Sequence, residues 1–155
     1  MKNLELKIPP VLIFLVSVVG IYNAPAQIEA YTFVQGFTAF IGFGIFVLGV
    51  LIGLIGVITF KRAKTTVNPV SVEKASSLVT HGIFRATRNP MYLGMALGII
   101  GVSVYLQSNI IMSLFFLFFY ISYMTRFQIV PEERVLTELF GDTYTTYLES
   151  TRRWL

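Results

Sequence analysis

The chain has 155 residues, of which 55% are hydrophobic and only 13% are charged, against about 25% charged in an average soluble domain. It has no cysteine and one histidine, His81, which excludes disulfides and thiolate chemistry and disfavours a histidine metal site or a Ser-His-Asp triad. The net charge of +4 would suit nucleic acid, but the positions of the charges indicate membrane topology instead. We therefore expect an integral membrane protein with neither a metal nor a nucleic-acid partner.

Four apolar stretches predict an all-α protein, a single membrane domain over residues 1–155 with about four transmembrane helices. The second stretch is longer than a hydrocarbon core of about 30 Å requires at about 1.5 Å per residue. The third and fourth are short, and only three residues separate them, which predicts a tight helical hairpin. The predicted spans are about 8–22, 33–60, 91–106 and 110–125.

All twelve lysines and arginines lie before the first stretch, between the second and third, or after the fourth. Because cytoplasmic loops carry the Lys/Arg excess, we expect both termini and the loop 61–90 to be cytoplasmic. A cleaved signal peptide is an alternative, since Lys2, an apolar stretch and Ala24-Pro25-Ala26 resemble its pattern. Glu5 and the Pro9-Pro10 pair fit that alternative poorly.

Two glycine pairs have GxxxG spacing: Gly49 with Gly53 in the second span, and Gly94 with Gly98 in the third. Small residues allow helix backbones to approach closely within lipid. The spacing therefore predicts that these glycines lie at helix–helix contacts.

Polar residues gather beside two predicted helix starts. The loop 61–90 ends in Arg88-Asn89-Pro90, where Asn suits the N-cap and Pro the first helical position, leaving free N–H groups and a positive dipole end for an anion. Pro131 marks a second start, and Glu132 and Glu133 follow it in the first turn. Together the two starts would suit a zwitterionic ligand with an aromatic part. The alternative is that both motifs only cap helices.

The last 25 residues predict amphipathic cytoplasmic helices over about 131–150, packed on the membrane surface or on the loop 61–90. Gly141 suits the end of one helix and Asp142 the start of the next. Trp154, beside two arginines, is typical of an interfacial anchor.

Two segments in this region, LVTHGIFRATRNPMYLG at 78–94 and EERVLTELFGDTYTTY at 132–147, resemble a known family. They are similar to motifs of the isoprenylcysteine carboxyl methyltransferases and their phospholipid methyltransferase relatives. The resemblance covers about residues 76–155 and implies a membrane-embedded methyltransferase. Such an enzyme binds S-adenosylmethionine in a cytoplasmic pocket without a Rossmann fold, and its acceptor is a lipophilic small molecule or a lipid-anchored substrate.

The resemblance also implies roles for individual residues. The family often has His at the position of Asn89, and its substrate-side arginine falls at Gln128 here, two positions after Arg126. Arg126 and Glu133 are the candidate catalytic residues. The candidate cofactor-binding residues are Ser76, Ser77, Leu78, Val79, Phe84, Arg88, Asn89, Pro90, Met91, Tyr92 and Glu132.

Two other functions remain open from the sequence. One is a membrane reductase related to sterol reductases, which would need sites for the phosphates of NADPH, and Arg85 and Arg88 are few donors for that purpose. The other is a non-catalytic membrane scaffold. His81 is interpreted as a loop residue.

Overall fold

The computed structural model describes residues 5–24, 32–63 and 75–155, and the regular elements within these ranges are all helical, which confirms the all-α prediction. A 3-10 turn, Gly82–Arg85, precedes the third helix. Prolines at the first positions of the first and third helices set their starts close to the predicted boundaries. The helices are α1 (Pro10–Tyr22), α2 (Thr32–Arg62), α3 (Pro90–Tyr105), α4 (Ile110–Met124) and α5 (Val130–Ser150).

Helix α3 is the centre of the bundle and packs against α1, α2 and α4. Its residues Tyr92, Ala96 and Ile99 are buried. Helix α2 packs against α3 and leaves much of its apolar surface uncovered, so that Phe40 is 76% exposed. The bundle therefore has an apolar outer surface, which is what lipid contact requires.

The glycines bring α2 and α3 into backbone contact. A Cβ built on Gly49 would lie 2.5 Å from the carbonyl oxygen of Gly94, and one built on Gly94 would collide with the carbonyl oxygen of Gly49. Close packing is thus confirmed for this pair. A Cβ built on Gly98 would instead lie 3.1 Å from the ring of Phe14. A Cβ built on Gly53 would meet open space, so that only the backbone of Gly53 takes part in the contact.

A second pair, Gly42 and Gly101, makes the same contact one step along the two helices. A Cβ built on Gly42 would lie 2.7 Å from the carbonyl oxygen of Gly101. Gly42 precedes Gly49 by seven residues, and Gly101 follows Gly94 by seven, which is about two helical turns. The two pairs therefore set one antiparallel register between α2 and α3.

The predicted hairpin between α3 and α4 is confirmed. The Asn109 side chain caps α4 by accepting hydrogen bonds from the N–H groups of Ile111 and Met112 at 3.0 and 3.2 Å. Ser108 Oγ donates to the carbonyl of Ile21 at 3.1 Å, and this hydrogen bond ties the turn to the end of α1.

The predicted helix start at Pro131 is wrong. Helix α4 runs through a π-helical turn, Thr125–Ile129, directly into α5, so there is no free N-terminus at that point. Proline has no N–H group and cannot bond the carbonyl four residues earlier, that of Phe127. The N–H of Leu6 donates to that carbonyl instead, at 3.0 Å. The π turn accommodates the proline within a continuous helix.

Two helical stretches are long and apolar enough to cross a membrane: Gly36–Arg62 and Ile110–Ser150, the second containing α4 and α5. Helices α1 and α3 are apolar but shorter, since the 16 residues of α3 reach only about 24 Å at 1.5 Å per residue. The number of spans therefore stays a prediction.

Some residues on which the topology predictions depend lie outside the described residues. They are three basic residues, Lys2, Lys64 and Lys74, and part of the alternative cleavage site, Pro25-Ala26.

Helix α5 bends at Gly141, whose φ of 51° and ψ of −130° depart from helical geometry. Its buried Tyr144 and Tyr147 pack against Val79 and Phe84, which confirms that α5 covers the end of the loop 61–90. Beyond α5, the chain turns back onto the bundle.

The indole of Trp154 marks where this tail meets the bundle. Its Nε1–H donates to Thr125 Oγ1 at 3.2 Å, and its ring packs on the apolar core. Trp154 therefore holds the C-terminal tail against the π-helical turn.

Candidate functional site

The two sequence motifs meet at Tyr92 and Glu132. The Tyr92 hydroxyl donates a short hydrogen bond to Glu132 Oε1. Tyr92 is itself only 5% exposed, and its carbonyl accepts a hydrogen bond from the Tyr120 hydroxyl at 3.2 Å. The first turn of α3 is thereby fixed against α4 and the start of α5.

Glu132 is electrostatically distinct from an ordinary surface carboxylate. Burial raises the pKa of Glu132 to about 8, with a smaller increase from the charge of Glu133, while the hydrogen bond from Tyr92 opposes the rise. A buried carboxyl that gives up its proton needs a compensating positive charge. The position therefore suits a cationic group such as an ammonium.

Glu133, the neighbouring carboxylate, lies between two arginines. It accepts hydrogen bonds from Arg88 Nη2 at 2.8 Å and from Arg153 Nε and Nη2 at 3.0 and 2.6 Å. Arg88 also donates through Nη1 to the carbonyl oxygens of Leu148 at 2.8 Å and Thr151 at 2.6 Å. Arg88 and Glu133, predicted for cofactor binding and catalysis, thus hold the C-terminal tail in place.

The loop before α3 is also bound to that tail through its backbone and Asn89. The Arg88 N–H donates to the carbonyl of Arg152 at 3.0 Å, and Asn89 Nδ2 donates to that of Arg153 at 2.9 Å. Asn89 occupies the N-cap position and Pro90 the first helical position, as predicted, but the Asn89 side chain does not cap the helix. The N–H groups in the first turn of α3 therefore receive no capping hydrogen bond from the Asn89 side chain.

Two of the predicted cofactor residues between 76 and 84, Val79 and Phe84, belong to a packed layer beside this network. Val79 and Phe84 are 4% and 2% exposed, and Phe84 stacks on Phe60 with ring centroids 4.8 Å apart. The Tyr147 hydroxyl donates to the carbonyl of Phe84 at 2.6 Å. These side chains are core, so this layer would meet a ligand mainly through its backbone and edges.

The remaining members of the predicted cofactor set are less buried than Val79 and Phe84 and have separate contacts. Ser77 Oγ donates to the carbonyl of Ala63 at 3.2 Å, and Leu78 packs against the Val79 and Phe84 cluster. Ser76 is exposed, and Met91 lies beside Gly56 of α2.

The structure does not bring Arg126, the other predicted catalytic residue, to Glu132. Its guanidinium pairs with Glu5 at 2.9 Å. Gln128, at the family's substrate-side arginine position, is buried and donates through Nε2 to the carbonyl of Ile8 at 2.7 Å. Both residues bind the N-terminal segment.

Sequence reasoning missed Arg153 and the two tyrosines of α5 as members of this site. Arg153 reaches Glu133 only because the tail folds back beyond α5. A cavity lined by Arg88 and residues 148–155 lies beside the network. The i, i+3 spacing of Tyr144 and Tyr147, which places them on one helix face, was a sequence signal that could have identified them.

His81 is exposed at the start of the 3-10 turn, in agreement with its interpretation as a loop residue.

Comparison with known proteins relates this geometry to a family. Residues 37–143 match the family described as phospholipid methyltransferase. A probable protein-S-isoprenylcysteine O-methyltransferase of Oryza sativa subsp. indica is 29% identical over 119 residues, which cover 77% of this chain and 61% of the relative. Protein-S-isoprenylcysteine O-methyltransferase A of Arabidopsis thaliana is 31% identical over 104 residues, covering 67% of this chain and 52% of the relative.

The chain thus spans about 61% and 52% of the lengths of these curated relatives. No solved structure matches it. The family match covers more than half of the chain and includes both residues of the Tyr92–Glu132 contact. This chain therefore belongs to the phospholipid methyltransferase family, and it is similar to relatives named isoprenylcysteine O-methyltransferases.

Proposed function

We propose that this protein transfers a methyl group from S-adenosylmethionine to a lipophilic or lipid-anchored acceptor at the cytoplasmic face of a membrane. The observation that carries this proposal is the contact between Tyr92 and Glu132, which joins the two motifs of the family resemblance. It places a buried carboxyl beside the first turn of α3, whose N-cap side chain is turned away.

The residues present fit the amino-acid part of S-adenosylmethionine. Glu132 would hold its ammonium, because a positive charge at that point compensates a buried carboxylate. The first turn of α3 would hold its carboxylate, since helix N-termini favour anions. Arg88 Nε is buried and has no hydrogen-bond partner among the described residues, so it supplies one further donor near this turn.

The work of the protein in such a reaction is positioning. When bound, S-adenosylmethionine supplies an activated methyl group, which a lone pair of the acceptor takes as the carbon–sulfur bond breaks. Tyr92 orients the Glu132 carboxyl, and the network of Arg88, Glu133 and Arg153 holds the tail beside it. Fixed orientation in a site closed to water supplies much of the acceleration of a direct displacement.

We further propose that α1 to α4 all span the bilayer, with both termini and the site on the cytoplasmic side. The one-sided distribution of Lys and Arg supports this orientation. The shortness of α3 is compatible with a span because its neighbours surround it and shield it from lipid. An acceptor with a lipid tail would then reach the site laterally, between the helices.

The relatives named for isoprenylcysteine support a prenylated cysteine carboxylate as one acceptor class. Amines and thiols belong to the proposal as well, because Gln128 replaces the arginine that the resemblance associates with a carboxylate. A reductase gains no support from Arg88, since its Nη donors are occupied by Glu133, Leu148 and Thr151.

The test is a binding titration of the purified chain with S-adenosylmethionine and, separately, with NADPH. We expect S-adenosylmethionine to bind and NADPH not to bind. Glu132→Gln should weaken S-adenosylmethionine binding about ten- to a hundred-fold, since a hydrogen bond to a charged group contributes about 1.5–3 kcal/mol.

The matched control is Glu138→Gln, which neutralises an exposed carboxylate on the same helix. Its affinity for S-adenosylmethionine should stay within about two-fold of wild type, because surface substitutions change free energies by about 0.5 kcal/mol or less. Equal affinities in the Glu132→Gln variant and the wild type, or tight NADPH binding, would contradict the proposed function.

A further inference from the structure

A carboxylate is already bound by two arginines at the π-helical turn. Glu5 Oε1 lies 2.9 Å from Arg126 Nη1, and Glu5 Oε2 lies 3.4 Å from Arg134 Nη1. The Glu5 side chain is 11% exposed, whereas those of Arg126 and Arg134 are 46% and 51% exposed. The two guanidinium groups therefore keep donors free for solvent or for a larger anion.

This arginine pair lies away from the proposed cofactor site. Arg134 follows Glu132 by two residues, so on an α-helix its side chain leaves about 200° further round the axis. Arg126 binds the same Glu5 carboxylate and so belongs to the same side. An anion held here would be separated from the Tyr92–Glu132 contact by the body of the helix.

Aromatic side chains connect the arginine pair to the apolar surface of α4. The Arg126 guanidinium lies 5.4 Å from the ring centroid of Phe127, whose ring is 4.8 Å from that of Tyr123, which in turn is 6.1 Å from that of Phe119. Further along the helix, Phe118 is 73% exposed. An apolar surface that ends in arginines suits an amphiphile with an anionic head.

The segment that carries Glu5 is held by contacts that can be exchanged. Leu6 N–H donates to the Phe127 carbonyl and Gln128 Nε2 to the Ile8 carbonyl, at 3.0 and 2.7 Å. Leu6 itself has a φ of 57°, a left-handed conformation that is unfavourable for a residue other than glycine. This strain opposes the closed position of the segment.

We propose that Arg126 and Arg134 form a headgroup site for an anionic phospholipid, and that Glu5 is an intramolecular occupant which the lipid phosphate displaces. A phosphate can accept more hydrogen bonds than a carboxylate and meets the planar guanidinium in a two-point contact. Its displacement of Glu5 would free residues 5–9 from the π-helical turn. The proposal rests on α4 spanning the membrane and does not depend on methyl transfer.

The test is a titration of the full chain, in neutral detergent micelles without cofactor, with short-chain phosphatidylglycerol or phosphatidylcholine. Bound lipid is counted by native mass spectrometry, and hydrogen exchange is followed for the peptide containing residues 5–9. We expect phosphatidylglycerol to bind, and exchange in that peptide to rise with occupancy, whereas phosphatidylcholine should do neither.

The variants have expected directions. Glu5→Gln should raise the affinity for phosphatidylglycerol about two- to ten-fold, because two partly exposed ion pairs no longer compete. Arg126→Gln and Arg134→Gln should lower the affinity for phosphatidylglycerol.

The matched controls are Arg85→Gln, which removes an exposed arginine elsewhere, and Glu138→Gln, which removes an exposed carboxylate. Both should leave the affinity within about two-fold of wild type. Arg126→Lys, which keeps the charge and loses the two-point contact, replaces Arg126→Gln if that variant does not fold.

Several results would overturn the proposal. Equal binding of the two lipids, or an equal loss in Arg85→Gln, would show that no specific headgroup site exists. An unchanged affinity in Glu5→Gln would show that Glu5 does not occupy the site in competition with the lipid. Displacement of Glu5 by a farnesylated cysteine carboxylate but not by phosphatidylglycerol would make the pair an acceptor site instead. Failure of the proposed methyl transfer would show separately, as an absence of S-adenosylmethionine binding.

Discussion

Two adjacent glutamates on α5 have different neighbours, and this difference decides what each contributes. Glu132 meets the hydroxyl of Tyr92, whereas Glu133 is enclosed by Arg88 and Arg153. Glu133→Gln should therefore destabilise the fold by about 3 kcal/mol. This value lies at the lower end of the range for breaking a buried ion pair, because the side chain of Arg153 is 37% exposed. Denaturant unfolding in detergent would measure this loss. An unchanged stability and unchanged S-adenosylmethionine binding, together with abolished methyl transfer, would instead support the predicted catalytic role of Glu133.

The raised pKa of Glu132 predicts a pH dependence of stability. Its folded pKa of about 8 exceeds the ordinary value of 4.5, so between these values the folded state holds a proton that the unfolded state has released. The free energy of unfolding should therefore fall as pH rises from about 4.5 to about 8, by at most about 1.4 kcal/mol per pH unit from this group. Glu132→Gln should remove that slope, and unfolding curves at pH 5.5 and 7.5 would compare the two proteins. Parallel slopes would contradict the assignment.

At the scale of elements, the α2–α3 contact depends on particular glycines rather than on glycine content. Gly49→Leu and Gly101→Leu should each destabilise the bundle by about 3 kcal/mol or more, because the new side chain meets the backbone of the other helix. Gly44→Leu is the matched control, since a Cβ there meets nothing within 4 Å, and its effect should stay within about 0.5 kcal/mol. Thermal unfolding in one detergent would rank all three, and equal losses would mean that the register is different.

The π-helical turn shows why one element boundary was mispredicted. Proline at position 131 suits a helix start, and it also suits a continuous helix whose unpaired carbonyl finds another donor. That donor is the N–H of Leu6, which is distant in the sequence. The local sequence could not distinguish a helix start from a continuous helix, because the hydrogen bond that decides between them joins residues far apart in the sequence.

For the whole molecule, the distribution of charges predicts a definite orientation. The chain contains no cysteine, so Gln27→Cys and Lys64→Cys each introduce a single thiol for labelling in sealed vesicles. We expect a membrane-impermeant reagent to reach the two positions from opposite sides, with Lys64→Cys on the cytoplasmic side. Labelling of both positions from the same side would rule out the four-span arrangement.

The sequence alone determined the helical class, most helix boundaries and the presence of Gly49 and Gly94 at a helix–helix contact. These features follow from the period of the apolar residues, from prolines at helix starts and from glycine spacing, which act within one helix or between neighbouring helices. That these two glycines meet each other was decided by the tertiary structure. It also identified the two motifs that meet at Tyr92 and Glu132. Only the tertiary structure decided that Glu133 and Arg88 hold the C-terminal tail and that Arg126 faces Glu5. Charged side chains choose partners by proximity in space, and residues 126 and 5 become neighbours only once α1 packs against α4.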